Sequence, residues 1–564
     1  MRYWNSRTKV LVPVLSLAVG VAGLLPAGTA HADTTTALQI TSFYQIVADT
    51  AHNHLFISQG SSSQNHIVVT NLSGKQVATI GGQDGVEGIA LSPDGKILYA
   101  ALGSFHAVTA IDTATLMQTA SYPIGSANTP VDVAVQSGKI WVSYNTGTPG
   151  TAAIGDINLT ANAPAFETQS AMGGWYAAPE LAADPHDTGV LAAAEPGMSP
   201  SSVASYDTSA DPATVRAQSS SFTNCENQRD LAVVPGGSEF ILACGWPYAH
   251  YRYSTADLSQ QGSYASTTYP DAVALDAHGD VAAGTVNGAS PTDLYVYHPN
   301  GDTAVNTYSL VSSGGNLMPR GLAWSPDGST LFAVLQGTST TYSLHVVDGP
   351  LLINTKLTLS TGSSKFTYEP TVHVTAHLGT TDTNRTVSIY AQPSGSKSKT
   401  LLKTGKVDSS GNLTVSYKAA HSTTFSAVFS GDSRYRPTSV TRVIYVRANV
   451  SETLSGYYAS TRIGGITYRL FHRRALMHVH VTVRPNKSGQ CVKLELQEHY
   501  HGAWHGVTTR CGTLNSSSKI SAAVRLTHAN LGYHYRIRAD YIRSSKDTTN
   551  LNNDSAWRYF IVKR

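Results

Sequence analysis

One short phrase constrains the fold more than any other feature, because it returns seven times along the first 350 residues. An aliphatic residue and an alanine are followed by a tight turn and strand-forming residues. The pair stands at Val47-Ala48, Ile89-Ala90, Val133-Ala134, Leu181-Ala182, Leu231-Ala232, Val273-Ala274 and Leu322-Ala323, at intervals of 42, 44, 48, 50, 42 and 49 residues. A period of about 40–50 residues with several short strands per unit is the signature of propeller blades. Two units carry a full Pro-Asp-Gly turn, Ser92-Pro93-Asp94-Gly95 and Ser325-Pro326-Asp327-Gly328. Proline fixes φ and glycine takes the left-handed position that such a turn requires. Asp276-Ala277-His278-Gly279 and Val234-Pro235-Gly236-Gly237 are worn versions of it.

The second unit reads as four strands: the alanine strand, then residues 97–102, 107–112 and 118–122. The alanine strand is expected innermost, where seven strands crowd the axis. Residues 38–43 precede the first anchor and read as an outermost strand, whereas the seventh unit lacks one. The N-terminal strand is therefore expected to complete the seventh blade and remove an open edge.

Residues 86–102 (VEGIALSPDGKILYAAL) and 318–335 (MPRGLAWSPDGSTLFAVL) resemble the YVTN-type, lactonase-like seven-bladed propellers of secreted and surface proteins. The resemblance spans residues 37–349 and implies a fold, not an activity. Residues 351–447 then alternate with period two, as in 371–376 and 424–429, which reads as half-buried strands. Gly431-Asp432-Ser433-Arg434-Tyr435-Arg436-Pro437 resembles the GDxxYxP turn of bacterial immunoglobulin-like repeats. That resemblance implies a β-sandwich. Residues 448–564 repeat the style, with strands expected at 479–483, 492–496, 535–541 and 557–562. The expected fold class is all-β: a seven-bladed propeller over 33–350 followed by two immunoglobulin-like sandwich modules.

Arg2, Arg7 and Lys9 precede an apolar run from Val10 to Leu25, and Ala30-His31-Ala32 has the small-x-small cleavage form. Residues 1–32 read as a signal peptide, and the product is expected to be secreted, extracellular and associated with the cell wall. No later run approaches the roughly 20 apolar residues of a membrane span. Export makes the four cysteines readable as disulfides. Cys491 and Cys511 lie symmetrically about His501-Gly502, as across a hairpin, and Cys225 and Cys244 flank the Pro235-Gly236-Gly237 turn.

Charged residues make up 13% of the 564, about half the usual share, which excludes a disordered polyelectrolyte. The net +3 hides a division. Residues 33–350 carry 7 Lys+Arg against 26 Asp+Glu, whereas 351–446 carry 11 against 4 and 447–564 carry 18 against 6. An acidic head on a basic tail points to electrostatic docking. The expected partner of the tail is an anionic wall polymer or polysaccharide. A protein partner is expected at the propeller, and nucleic acid is not.

The residues just before the alanine anchors are ionisable in six units: Glu87, Asp132, Glu180, Arg229 with Asp230, Asp271, and Arg320. Closed into a ring, they would gather at one axial mouth as a ligand-binding set. There the acids would shift one another's pKa or hold a divalent cation such as Ca2+, and the arginines would fix an anion. The competing reading is that the acids accept backbone N–H groups at blade junctions or pair with the arginines. His499 and His501 are candidate metal ligands in the last module, where the commoner state is a solvated histidine. No cofactor is expected otherwise. There is no G-x-S-x-G, H-E-x-x-H or P-loop. A non-catalytic binding or scaffold role therefore leads. The alternative is an extracellular hydrolase or lyase at the axial mouth, with Glu87, Asp132 and Asp271 as its acids and bases.

Overall fold

The computed structural model describes residues 34–62, 66–266, 269–286, 292–310, 315–337, 341–379, 385–527 and 529–564. The expected signal segment and its cleavage point lie outside the described residues. The chain forms two compact units, one of His31–Thr355 with Gly431–Arg436, the other of Lys356–Ser430 with Pro437–Arg564. No helix among the described residues is long and apolar enough to cross a membrane.

The first unit is built of seven four-stranded antiparallel sheets, six of them in sequential order from an inner to an outer strand. The inner strands are Gln45–Asp49, Val86–Leu91, Thr129–Gln136, Glu180–Ala183, Glu226–Val233, Pro270–Leu275 and Gly315–Trp324. All seven aliphatic-alanine anchors fall on them. Each inner strand packs against the next, and Gly315–Trp324 packs against Gln45–Asp49, so the ring closes. The inner strands of the first four blades border a cavity of about 360 Å3, lined by Ala90, Val133, Ala134, Leu181 and Ala183 among others. Second strands such as Ile97–Leu102 and Val190–Ala194 are buried almost throughout, because both faces of each sheet are covered by neighbouring blades.

The seventh blade takes its outer strand from the N-terminus, as the sequence pattern requires. That strand is Thr34–Leu38 rather than residues 38–43, and it pairs antiparallel with Tyr342–Val346. Leu38 at its end and Ile40 just beyond it enter a core cluster with Leu55, Ile57, Tyr342 and Leu344. Leu38→Ala is expected to cost about 2 kcal/mol and to lower the propeller's thermal transition. An unchanged midpoint would show that the closure does not depend on this contact.

The second unit holds two pairs of sheets. In residues 357–446 a three-stranded sheet (Leu357–Ser360, Thr371–Leu378, Asn412–Lys418) accompanies a five-stranded one. The latter runs Lys365–Phe366, Thr438–Val446, Thr423–Phe429, Thr386–Pro393, Thr400–Lys406. Alternation along Thr371–Leu378 and Thr423–Phe429 turns every second residue inward, including Val372, Val374, Phe425 and Ala427. In residues 449–564 a three-stranded sheet (Asn449–Ser455, Leu476–Arg484, Lys519–Arg525) faces a seven-stranded one across a shared core. Val450, Val479 and Val481 on one side meet Val492, Ile537 and Phe560 on the other.

Both cysteine pairs form disulfides, Cys225–Cys244 and Cys491–Cys511. They fit an oxidising compartment. The hairpin turns at His501-Gly502, but a bulge at Leu496/Gln497 shifts its register, so Cys491 lies opposite Thr513. The bridge therefore joins a diagonal pair with Cα atoms 5.8 Å apart.

Candidate ligand-binding face at the propeller mouth

The expected mouth residues come together because five inner strands break register where these residues sit. The pairing slips between Val86 and Ile89, Pro130 and Asp132, Gln228 and Leu231, Pro270 and Ala272, and Leu317 and Leu322. A bulge re-aims the side chain it carries. Glu87, Asp132, Arg229, Asp230, Asp271 and Arg320 all lie within or beside such slips. Gly88 is needed in one of them, since a Cβ there would stand 2.0 Å from Asp132 Oδ1.

Arg320 is the hub. Its backbone takes the left-handed φ of 56°, and its side chain is only 11% exposed. Nη2 donates to Asp132 Oδ1 at 3.0 Å, Nε lies 3.6 Å from Glu180 Oε1, and the guanidinium stands 5.1 Å from the Tyr44 ring. Its backbone N–H approaches Asp230 Oδ2 at 3.3 Å. One residue of blade seven thus ties the third, fourth and fifth blades.

The acids do the junction work that the sequence offered as the competing reading. Asp132 accepts from the N–H of Val133 and, in the next blade, from that of Leu181, both at 2.9 Å. Asp230 repeats this with Leu231 at 2.9 Å and Val273 at 2.8 Å. Glu180 accepts from Gln228 Nε2 at 2.9 Å, and Asp271 from Arg229 Nε at 3.0 Å. Gln45 plays the same part in blade one, accepting from the Ile89 N–H at 2.9 Å. Reading only for ionisable groups missed Gln45, although it occupies the equivalent position before its own anchor. Tyr44 was missed too, and only its adjacency to Gln45 marked it.

Burial sets the protonation of these groups. It pushes Glu87 up to about 7, with Ser61 and Arg320 opposing and Asp132 reinforcing the shift. It pushes Asp271 up to about 6 against the pull of Arg229. Glu180 is raised well above its ordinary value by burial and by the neighbouring Asp230, and Tyr44 is raised by burial. A raised carboxyl holds a proton in the folded state that the unfolded chain has already released, so stability falls as pH rises through the interval between the two values. For Glu87 and Asp271 that interval runs from about 4 to about 7. The propeller transition is therefore expected at higher temperature at about pH 5 than at about pH 7.5. Calorimetric scans across that range check this, and a flat or rising midpoint contradicts it.

Above the hub lies a pocket of about 260 Å3 lined by Phe43, Tyr44, Glu180, Arg229, Met318 and Arg320 among others. The surrounding face carries large exposed aromatic residues. Phe105, Tyr176, Trp246, Tyr248 and Tyr269 are all about half exposed or more. Each lies in a loop or at a strand end on the side where the inner strands begin: Tyr176 precedes Glu180, Tyr269 precedes Pro270, and Trp246 ends a strand and pairs with Glu226. Trp246 and Tyr248 meet edge-on at 5.4 Å, as do Tyr248 and Tyr269 at 4.7 Å, making one contiguous aromatic surface.

The candidate metal ligands of the last module are not drawn to a common point. His499 packs edge-on to Trp504 at 4.9 Å, whereas His501 sits in the hairpin turn against Tyr500. The grouping with metal-like spacing among the described residues is instead Asp276, His278 and Asp280, whose ligand atoms lie within 4.8 Å of one another. It occupies the worn turn of blade six, where Asp276 Oδ1 accepts the N–H groups of His278 and Asp280 at 2.9 Å. Those bonds account for its shape as a turn.

No family model and no curated protein matches the chain. Among solved structures it is similar to the hydrazine synthase of Kuenenia stuttgartiensis, at 16% identity and a TM-score of 0.43 over 56% of this chain and 97% of that one. It is also similar to the Cps50 (Swd1) β-propeller domain of Myceliophteria thermophila, at 11% identity and a TM-score of 0.42 over 56% and 100%. A third is Hsv2 of Kluyveromyces lactis, at 11% identity and a TM-score of 0.37 over 57% and 94%.

Proposed function

We propose that the chain is an extracellular binding protein of the YVTN propeller type. Its mouth face takes a ligand or protein partner, and its two basic modules, read as immunoglobulin-like, hold it to an anionic wall polymer. One observation carries the reading. The mouth acids are already engaged by backbone N–H groups, Gln228 and arginines, while the aromatic residues around them remain open to solvent. Groups spent on joining blades are poor general acids or bases, whereas exposed Trp and Tyr are the commonest anchors of binding faces. A divalent cation would first have to displace those donors.

The immunoglobulin-like reading is supported by paired sheets of three and five strands with inward alternation, and by the motif at residues 431–437. Binding of the tail is tested by sedimentation with purified wall polymer bearing phosphate or carboxylate groups. Uptake is expected at low salt and is expected to disappear as ionic strength passes several tenths molar, where the screening length drops to a few ångströms. Uptake that ignores salt, or none at all, removes the docking half. The triple change Trp246→Ala, Tyr248→Ala, Tyr269→Ala should leave wall binding intact and abolish capture of whatever the propeller retains from the culture medium.

A hydrolase or lyase is the second reading, favoured by one observation: Glu87 is poised near neutrality beside the hub. Glu87→Gln would then eliminate turnover that the parent shows. Equal turnover in both removes it.

A further inference from the structure

The C-terminal sandwich is open along one edge. Its chain passes from strand Ala503–Thr513, last in the seven-stranded sheet, directly to strand Lys519–Arg525, last in the three-stranded sheet. No described strand covers the gap between them. Near the disulfide the sheets close, and a Cβ on Gly512 would stand 2.1 Å from Ile520 Cδ1. Away from it they part around a cavity of about 680 Å3, whose floor includes Leu494, Leu496, Ile537 and Phe560. Ile520, Ala522 and Val524 alternate toward this space and stay only partly covered. Val507 opposite is 49% exposed.

A cavity of this size over an apolar floor suits a small ligand better than a core, which would be filled. Its charged lining is specific. Arg510 pairs opposite the inward-facing Leu494 and shares its face, whereas Arg525 ends the edge strand on the other face and stands at the rim; neither is ion-paired among the described residues. The third charged group, Glu498, is engaged with the Tyr535 hydroxyl. The cavity thus offers an apolar slot with one free guanidinium on its face and a second at its rim, the complement of a tail and an anionic head.

We propose that this cleft binds a single-chain anionic amphiphile, with its hydrocarbon tail between the sheets and its carboxylate at Arg510, beside the rim residue Arg525. A partner β-strand is the rival occupant, because both bordering strands have free edges. Free edges do not single out this cleft, however. The preceding module ends its sheets on the corresponding strands, Thr400–Lys406 and Asn412–Lys418, and there Lys403 Nζ spans the gap to the Thr414 carbonyl at 3.0 Å. What distinguishes the last module is its apolar volume joined to two unpaired arginines.

The test uses the full chain and a dansylated undecanoic acid as the probe. Saturable, blue-shifted fluorescence is expected, with displacement by palmitate but not by a cationic amphiphile of similar chain length. Arg510→Glu with Arg525→Glu should weaken probe binding at least about tenfold, the loss of one charge-assisted contact. Ala522→Trp should abolish it by filling the slot. The arginine changes are on the surface, so unchanged thermal transitions will keep their result interpretable even if Ala522→Trp unfolds. Absence of saturable binding overturns the proposal. So does full affinity in the double arginine variant, or displacement of the probe by an apolar-alternating peptide at lower concentration than palmitate.

Discussion

Replacing Arg320 with leucine is expected to destabilise the propeller by about 3–5 kcal/mol, the usual cost of removing one partner from a buried charge group. The reason is the company it keeps. Asp132 is fully buried, Glu180 is 5% exposed, and Asp230 is 4% exposed. A single guanidinium supplies the positive charge at their centre. Without it, Asp132 keeps two backbone donors but loses its counter-charge, which in a low-dielectric site is the larger loss. Arg320→Lys should recover only part of the loss, because an ammonium cannot span Asp132 and Glu180 in one planar fork. Pairing Arg320→Leu with Asp132→Asn should restore more than either change predicts alone, since the amide keeps the Leu181 bond without the charge. Calorimetry of the full chain reads the outcome. If the propeller transition of Arg320→Leu lies within about 1 °C of the parent, Arg320 is not the hub.

This hub explains how much of the site the sequence carried. The anchors at Ala48 through Ala323 fixed the number of blades, because an alanine at a 40–50-residue period has one evident use where inner strands crowd together. The ionisable residues before them were visible for the same reason: the repeat gives them one address. Their roles were not visible. Asp132 reaching Leu181 and Arg320 reaching Asp132 span 49 and 188 residues. Such contacts depend on bulges, which insert residues without leaving a hydrophobic pattern to read. The closing strand shows the same limit at small scale. Its existence follows from counting strands, but its bounds follow from pairing with Tyr342–Val346 at the other end of the propeller sequence. The aromatic face was hidden among 29 tyrosines and 7 tryptophans. Only their places at strand ends and in loops distinguish Trp246, Tyr248 and Tyr269 from the buried Tyr253 and Trp141.

Lys487→Met should be the most damaging substitution in the sandwich unit, again by about 3–5 kcal/mol at neutral pH. Lys487 is a loop residue whose side chain is 3% exposed. Its Nζ reaches Asp547 Oδ2 at 2.9 Å and Oδ1 at 3.1 Å, Asn550 Oδ1 at 2.9 Å, and the Thr549 hydroxyl. Asp547 also accepts from the Tyr541 phenol. Burial alone would raise the Asp547 carboxyl, but the bonds from Tyr541, Lys487 and Thr549 outweigh it and hold the group well below the usual range. A depressed carboxyl contributes stability that is complete above its unfolded value and is lost as pH falls through the lower folded value. In Lys487→Met the bare carboxylate takes up a proton at higher pH, so the penalty should shrink on acidification from about pH 7 to about pH 4. The damage should also spread. Asn550, held by Lys487, donates to the carbonyls of Ala420 and Val446, joining the last module to the one before it. Hydrogen exchange should therefore quicken at Ser422 and Ala448, whose N–H groups bond to Thr549 and Leu551. Denaturant titrations at the two pH values measure the energy. A penalty that is small at pH 7, or that grows on acidification, would mean that the lysine is not neutralising Asp547 and that the junction is held by its backbone bonds alone.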